Sequence, residues 1–339
     1  AQQPIPATTD DHERLAQLVL ECREDPGRVE ALLELHQLAG SLGRSALRHV
    51  TAEILSLFHP DVAAPRLTRG VADQLVDPLA LVAEQTELHA DLLSALWEGA
   101  LPLFRRPLRS FGVLGTQKVS PLAARPLGAA FADGLRLLGP LEVTLYARPS
   151  SRREILIAPT HPPAVLVADS LEDDSDHLRF RLGVALDAAR PAAVVLASSP
   201  ANTGRMILEA AHAAFGPASA RGETARDVAA LAADLWRTVP NRQQATLRRA
   251  VASLDGPPDY DLAQRQSLAR GARAGLLLCE SLATSLRTLP LVDDDLLGVA
   301  LESAESYTDL VGRSLAARAV LHMALSDRWL VALERQLES

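Results

Sequence analysis

The sequence predicts a predominantly helical α+β protein, and three observations predict it. Hydrophobic residues make up 48% of the 339 residues while aromatics make up only 4%, so the core is built from Leu, Ala and Val. Ala and Leu lose little on entering a helix, which favours helix over sheet. Apolar residues recur at helical spacing along most of the chain, and that period gives way to strand-like runs only between about 141 and 168.

From Asp10 to Glu24 the positions Leu15, Leu18, Val19 and Cys22 mark a first helix, ended by Asp25-Pro26-Gly27. Residues 1–9 read as a frayed polar lead. A second helix is expected over 27–39, with Val29, Leu32, Leu33, His36 and Leu38 inward, and a third over 44–58, separated by the turn Gly40–Gly43. Residues 64–104 continue helical, most clearly over 79–103. The stretch 105–127 carries Arg105-Arg106-Pro107, Gly112, Gly115, Pro121 and Pro126 and reads as a long loop before a helix at 127–138. Leu141–Ala147, Glu154–Ala158 and Ala164–Ala168 are short β-like runs, a three-stranded sheet. Helices follow at about 174–189, 202–214, 223–237, 241–254, 260–288, 293–316 and 317–337, with joints at 216–222 and 255–259. The acidic run Glu172–Asp176 and Asp293–Asp295 read as caps at helix starts.

A net charge of −8 and a pI near 5.6 argue against a phosphate-backbone partner, which needs a basic face. Lys118 is the only lysine. Two distant cysteines, Cys22 and Cys279, form no disulfide framework, and the expected compartment is the cytoplasm. No apolar run is long enough to span a bilayer. The chain starts without Met or a signal pattern, so a longer protein is expected to precede residue 1.

The interval from Pro26 to Pro60 holds helix, Gly turn, helix and Pro over 34 residues. It resembles one tetratricopeptide repeat. A second resemblance rests on Leu145–Pro149, Thr160-His161-Pro162-Pro163-Ala164, Leu178–Gly183 and Ala272–Cys279. In that order they resemble the core of zinc metallopeptidases of the CAAX prenyl-protease type, in a degenerate form found behind tetratricopeptide repeats in myxobacterial proteins. The division implied is 1–60 repeat-like hairpins, 61–140 a helical connector with the basic loop, and 141–339 the peptidase-like domain.

In the active family the helix reads Leu-x-Phe-x-Leu-Gly-His-Glu-x-x-His. Its His pair at i and i+4 holds zinc and its Glu activates water. Here the frame reads Leu178-x-Phe180-x-Leu182-Gly183 and continues with Val184, Ala185 and Ala188 at those three positions. Anchored on Gly275, the family's third ligand, a Glu, falls on Leu268, and its Asp falls on Ala272. No metal and no cofactor is expected. The resemblance implies a non-enzymatic module that binds proteins. An amphipathic core helix of unrelated origin accounts for the same residues. Two alternatives remain open: a hydrolase with other ligands, and a small-molecule sensor in the vacated cleft. The segments 184–188 and 268–275 are expected to touch, with Val184, Ala188 and Ala272 closed over by neighbours.

Partner-binding candidates are His36 and the basic loop residues Arg105, Arg106, Arg109, Lys118 and Arg125, suited to an acidic partner. The loop is similar to a phosphate-binding loop in its glycines, but Thr116 and Gln117 separate Gly115 from Lys118, so the spacing fails. The sequence is silent on oligomeric state and partner identity.

Overall fold

A computed structural model describes residues 9–65, 69–83, 87–150, 152, 154–171, 175–217 and 225–339. The lead at 1–8, the acids Glu172–Asp174 and most of the joint at 216–222 therefore lie outside the described residues. Among the described residues 66% are helical and there is one small mixed sheet, as the apolar period predicts. Among the described residues no helix is long and apolar enough to cross a membrane.

The contacts divide the chain into two units. Unit 1 comprises 1–84, 176–184 and 269–339; unit 2 comprises 85–175 and 185–268. The helices α8 (Ser175–Ala188) and α13 (Tyr260–Cys279) each contribute to both.

Unit 1 begins with α1 (Thr9–Glu24), α2 (Val29–Ser41) and α3 (Ser45–Leu55), each packed on the next. Leu18, Leu32, Leu35 and Ile54 are fully buried between them. The short α4 (Pro78–Val82) follows, capped by the Asp77 carboxylate, which accepts the Ala80 N–H. The rest of unit 1 is α14 (Leu282–Thr288), α15 (Ala304–Arg313), α16 (Leu315–Ala324) and α17 (Asp327–Glu338). Helix α3 packs on α14 and α17, and Glu334 on α17 accepts the Ala46 N–H at 2.7 Å. Tyr307 on α15 is wholly buried, and its hydroxyl donates to the Pro26 carbonyl at 2.7 Å.

Three of the helices expected from residue 260 onward are broken. The expected 260–288 helix stops at Cys279, because Glu280 adopts φ 57° and restarts the chain toward α14. A left-handed non-glycine residue is uncommon. Here the Glu280 carboxylate accepts the N–H groups of Gly70 and Ala72 at 2.8 and 2.7 Å, which holds the turn. The expected 293–316 helix is a short turn at Asp294–Leu296 and then α15, which starts at the Ser303 cap. The expected 317–337 helix is α16 and α17, separated because the Ser326 side chain caps Trp329 N–H and starts a new helix. Ser and Asp side chains compete for backbone groups and so favour such starts.

Unit 2 holds α5 (Ala90–Gly99), α6 (Leu101–Phe104), α7 (Pro126–Leu137), α9 (Val194–Ala197), α10 (Ala201–Phe215), α11 (Arg226–Thr238) and α12 (Asn241–Ala252). The expected continuous helix at 79–103 is thus divided into α4, α5 and α6. Leu96, Trp97, Val195, Leu208, Phe215, Leu235 and Leu247 pack into one core. Beside it, Arg190 forks onto Asp187 at 2.6 and 2.9 Å and reaches Glu87 at 3.2 Å. Burial opposes the Arg190 charge, but these two carboxylates raise its affinity for the proton.

The sheet has four strands, one more than expected, in the order β1-β2-β4-β3. They are β1 (Lys118–Val119), β2 (Thr144–Arg148), β3 (Ile155–Ala158) and β4 (Ala164–Ala168). β4 is paired on both edges, parallel to β2 and antiparallel to β3, and all five of its residues are buried. Its unbroken Ala-Val-Leu-Val-Ala run is the pattern of a strand covered on both faces. β1 adds to the free edge of β2 with Lys118 opposite Tyr146. Lys118 is therefore a strand residue, not a loop residue.

Candidate functional site

The segment after α6 is held against the sheet. The Arg106 N–H donates to the Pro159 carbonyl at 3.0 Å, and Leu108, Phe111 and Val113 pack on Ala158, Ala164 and Leu166. This brings Arg105 and Arg106 to the start of β2 and to the β3–β4 connection, where Thr160-His161-Pro162 lies. The result is a cleft of about 220 Å³ lined by Arg105, Arg106, Thr144, Tyr146, Thr160 and His161, with Pro107, Leu108 and Pro162. Among the described residues no carboxylate lines it.

The donors in the cleft can be sorted. Thr160 Oγ1 donates to the Pro162 carbonyl at 2.6 Å and Thr144 Oγ1 to the Pro163 carbonyl at 3.4 Å, so both hydroxyl hydrogens are used. The Tyr146 hydroxyl, the His161 ring and the guanidinium groups of Arg105 and Arg106 have no hydrogen-bond or ion-pair partner among the described residues. Arg109 and Lys118 are likewise exposed and without an ion pair among the described residues. Arg125 differs: it is half-buried at the start of α7 and already engaged. Arg106 also lines a second, smaller cleft of about 130 Å³ with Phe104, Val195, Met206, Ile207 and Leu231.

His36 sits in unit 1, half-buried, with its Nδ1 3.0 Å from Thr51 Oγ1. The Thr51 hydroxyl hydrogen goes to the Leu47 carbonyl at 2.8 Å, so His36 Nδ1 donates and Nε2 keeps its lone pair. Burial makes His36 and His49 weaker bases than usual. Both line a cavity of about 580 Å³ that also holds Arg48 and Asp61.

Glu53 lies next to His49, at 4.0 Å, and accepts from Ser281 Oγ at 3.1 Å and from the Leu282 and Ala283 N–H groups at 3.4 Å. Burial pushes its carboxyl up to about 6, although these three donors pull it down. A raised carboxyl means that the native state holds the proton more tightly than the unfolded chain. Its stabilising contribution is complete below about pH 4.5 and is lost as pH rises through 6. His36 and His49 act in the opposite sense, adding stability above pH 6.5 that falls away on acidification. Glu53→Gln should isolate the carboxylate: the difference in unfolding free energy between variant and parent should change by about 2 kcal/mol between pH 4.5 and 6.5. A pH-independent difference in urea unfolding would refute this account.

The residues in the peptidase-like frame fall as follows. Ala272 and Ala185 are buried. Val184, Ala188 and Leu268 are only half-buried, so the expected complete closure over Val184 and Ala188 does not occur. Along Phe180–Ala188 of α8, Val184 and Ala188 are the two positions that are not buried, because spacing of four sets them on one stripe. Within unit 1, α8 and α13 are in backbone contact: a Cβ on Gly183 would stand 2.6 Å from the Ala274 carbonyl oxygen. One on Gly271 would stand 3.4 Å from Val184 Cγ1.

Other reactive groups are muted. Cys22 and Cys279 are buried free thiols, both pushed up to about 12 by burial. Among the described residues no group of three His, Cys, Asp or Glu side chains is placed to hold a metal ion. Sequence reasoning singled out Arg105 and Arg106 but gave Tyr146 and His161 no functional role. The two unspent donors carry no local signal, because only the pairing of β2 with β4 places them beside the arginines. No family model matches this sequence, and neither a curated protein nor a solved structure is similar enough to count as a relative.

Proposed function

We propose that this chain is a protein-binding module without chemistry of its own, which docks an acidic partner through the cationic face of residues 105–118. The observation that carries this reading is the set of four cations, Arg105, Arg106, Arg109 and Lys118, without ion pairs among the described residues of a chain whose net charge is −8. Elsewhere in the molecule many arginines are neutralised locally, as Arg14 is by Glu21 and Glu34. An unneutralised cationic patch on an acidic protein steers acidic partners toward it.

We further propose that the scaffold is a degenerate metallopeptidase of the prenyl-protease type behind tetratricopeptide-like hairpins. Three features support it. The packing of α1 on α2 and of α2 on α3 suits a repeat. The contact of α8 with α13 at Gly183 and Gly271 brings together the segments that would carry ligands. The partly open stripe at Val184 and Ala188 is where a ligand pair would face a cleft. The groups at those positions are aliphatic and can neither bind zinc nor move a proton.

Fluorescently labelled poly-glutamate should bind the protein with an affinity that falls steeply with salt, as exposed charge pairs require. Arg109→Glu with Lys118→Glu should weaken binding by roughly tenfold or more. Binding indifferent to salt and to both reversals would remove the docking surface. Stoichiometric zinc surviving dialysis of the purified protein would remove the non-catalytic reading.

A further inference from the structure

The cleft between the Arg105-Arg106 segment and the β3–β4 connection has the chemistry of a receptor for one compact dianion. Two guanidinium groups from adjacent residues line it, and no carboxylate among the described residues lines it with them. The backbone beneath them is fixed, since Arg105 is extended (φ −61°, ψ 132°) and the Arg106 N–H is tied to Pro159. The Tyr146 hydroxyl and the His161 ring add two further donors with no other use among the described residues. Thr144 and Thr160 close the wall but have spent their hydroxyl hydrogens on Pro163 and Pro162. The side of the cleft that donates is thus the two arginines, the phenol and the imidazole.

That donor set exceeds what a carboxylate can use. A carboxylate brings one charge and two oxygens, whereas a phosphomonoester brings close to two charges and three acceptor oxygens. Guanidinium forks bind both, but two forks at one site match a phosphoryl group, which can take a separate fork on different oxygen pairs. The volume sets the size of the ligand. About 220 Å³ is below the range of roughly 300–1,000 Å³ typical of sites for whole small molecules. It suits a side chain presented by a larger molecule. The adjoining cleft points the same way. It shares Arg106, is walled mainly by Phe104, Val195, Met206 and Ile207 with the hydroxyl residues Ser198, Ser199 and Thr203 beside them, and holds about 130 Å³, room for one small, mostly apolar side chain next to the anion.

We propose that this double cleft binds a phosphorylated serine or threonine side chain of a partner polypeptide, with an adjacent apolar residue seated beyond Arg106. This rests on the docking reading above and narrows it from acidic partners in general to phosphorylated ones. The phosphoryl oxygens are held by Arg105 and Arg106, with Tyr146 and His161 donating to the remaining lone pairs. No bond is made or broken.

Fluorescence anisotropy with three labelled peptides of one sequence tests it: serine, glutamate or phosphoserine at the central position, each followed by leucine. The phosphoserine peptide should bind at least about tenfold tighter than the glutamate peptide, because of the added charge and oxygen. Arg105→Ala with Arg106→Ala should abolish that preference, and Tyr146→Phe should reduce it by roughly threefold, the loss of one hydrogen bond. Arg109→Ala should leave it intact. All these side chains are at or near the surface, so unchanged thermal unfolding of each variant will show that the fold is retained. Glutamate and phosphoserine peptides binding within about twofold of each other would overturn the proposal, as would a preference that survives loss of both arginines. Inorganic phosphate should displace the phosphopeptide only at higher concentration; phosphate binding as tight as that of the phosphopeptide would overturn a peptide-borne ligand. Each of these failures leaves salt-dependent poly-glutamate binding through Arg109 and Lys118 standing, so it is separable from a failure of the docking surface itself.

Discussion

Gly183→Ala is expected to destabilise the protein by about 2 kcal/mol or more, although alanine is the better helix former by nearly 1 kcal/mol. The reason is the crossing of α8 and α13 in unit 1. A methyl group at 183 would meet the Ala274 carbonyl oxygen at 2.6 Å and Gly275 Cα at 2.7 Å. Those are backbone atoms of a helix and cannot rotate aside, so the helices must separate. Gly275 has the reciprocal role, since its own methyl would stand 2.7 Å from the Phe180 ring. The control is Gly312→Ala on α15, where nothing lies within 4 Å of the added methyl. There the propensity term acts alone and should stabilise by up to about 1 kcal/mol. Urea unfolding of the two variants should therefore shift in opposite directions from one chemical change. Equal shifts would mean that α8 and α13 are not in backbone contact.

Tyr307→Ala should cost about 3–5 kcal/mol, the usual range for emptying a buried aromatic site. Tyr307 is fully buried and its ring centroid lies 4.9 Å from that of Phe58. Its hydroxyl is the donor to the Pro26 carbonyl, so the ring holds the turn between α1 and α2 to α15. Tyr307→Phe separates the two contributions. It keeps the ring and leaves the Pro26 carbonyl without its donor, which should cost about 1–2 kcal/mol. A phenylalanine variant as unstable as the alanine one would show that the hydrogen bond, not the ring, dominates. An alanine variant within about 1 kcal/mol of the parent would show that the site is not closed.

Helix positions were legible where the apolar period was strong and a local stop was present. The α1 helix ends at Asp25-Pro26 as read, and α10 and α12 begin and end within a few residues of the expected bounds. The departures have two causes, distant contacts and local caps. Nothing adjacent to Glu280 breaks the helical period of α13; the break is stabilised by Gly70 and Ala72, some two hundred residues away in the chain. The strand β1 was missed because two residues carry no period, and it exists only because β2 offers an unpaired edge. The Ser303 and Ser326 caps were visible residues whose signal was outweighed by the apolar period on either side.

For the candidate site, the cationic stretch was legible as charge. The sequence by itself determined the helical class, the three longer strands and the concentration of unpaired-looking arginines after α6, because composition and period act over neighbouring residues. Only the tertiary structure decided which arginines share a cleft. Arg105 and Arg106 meet Tyr146 and His161 across forty or more residues of chain, through strand register and one backbone hydrogen bond to Pro159. Such contacts depend on which edges and faces find each other on folding, and a hydrogen bond between distant backbone groups leaves no trace in the side chains on either side of it.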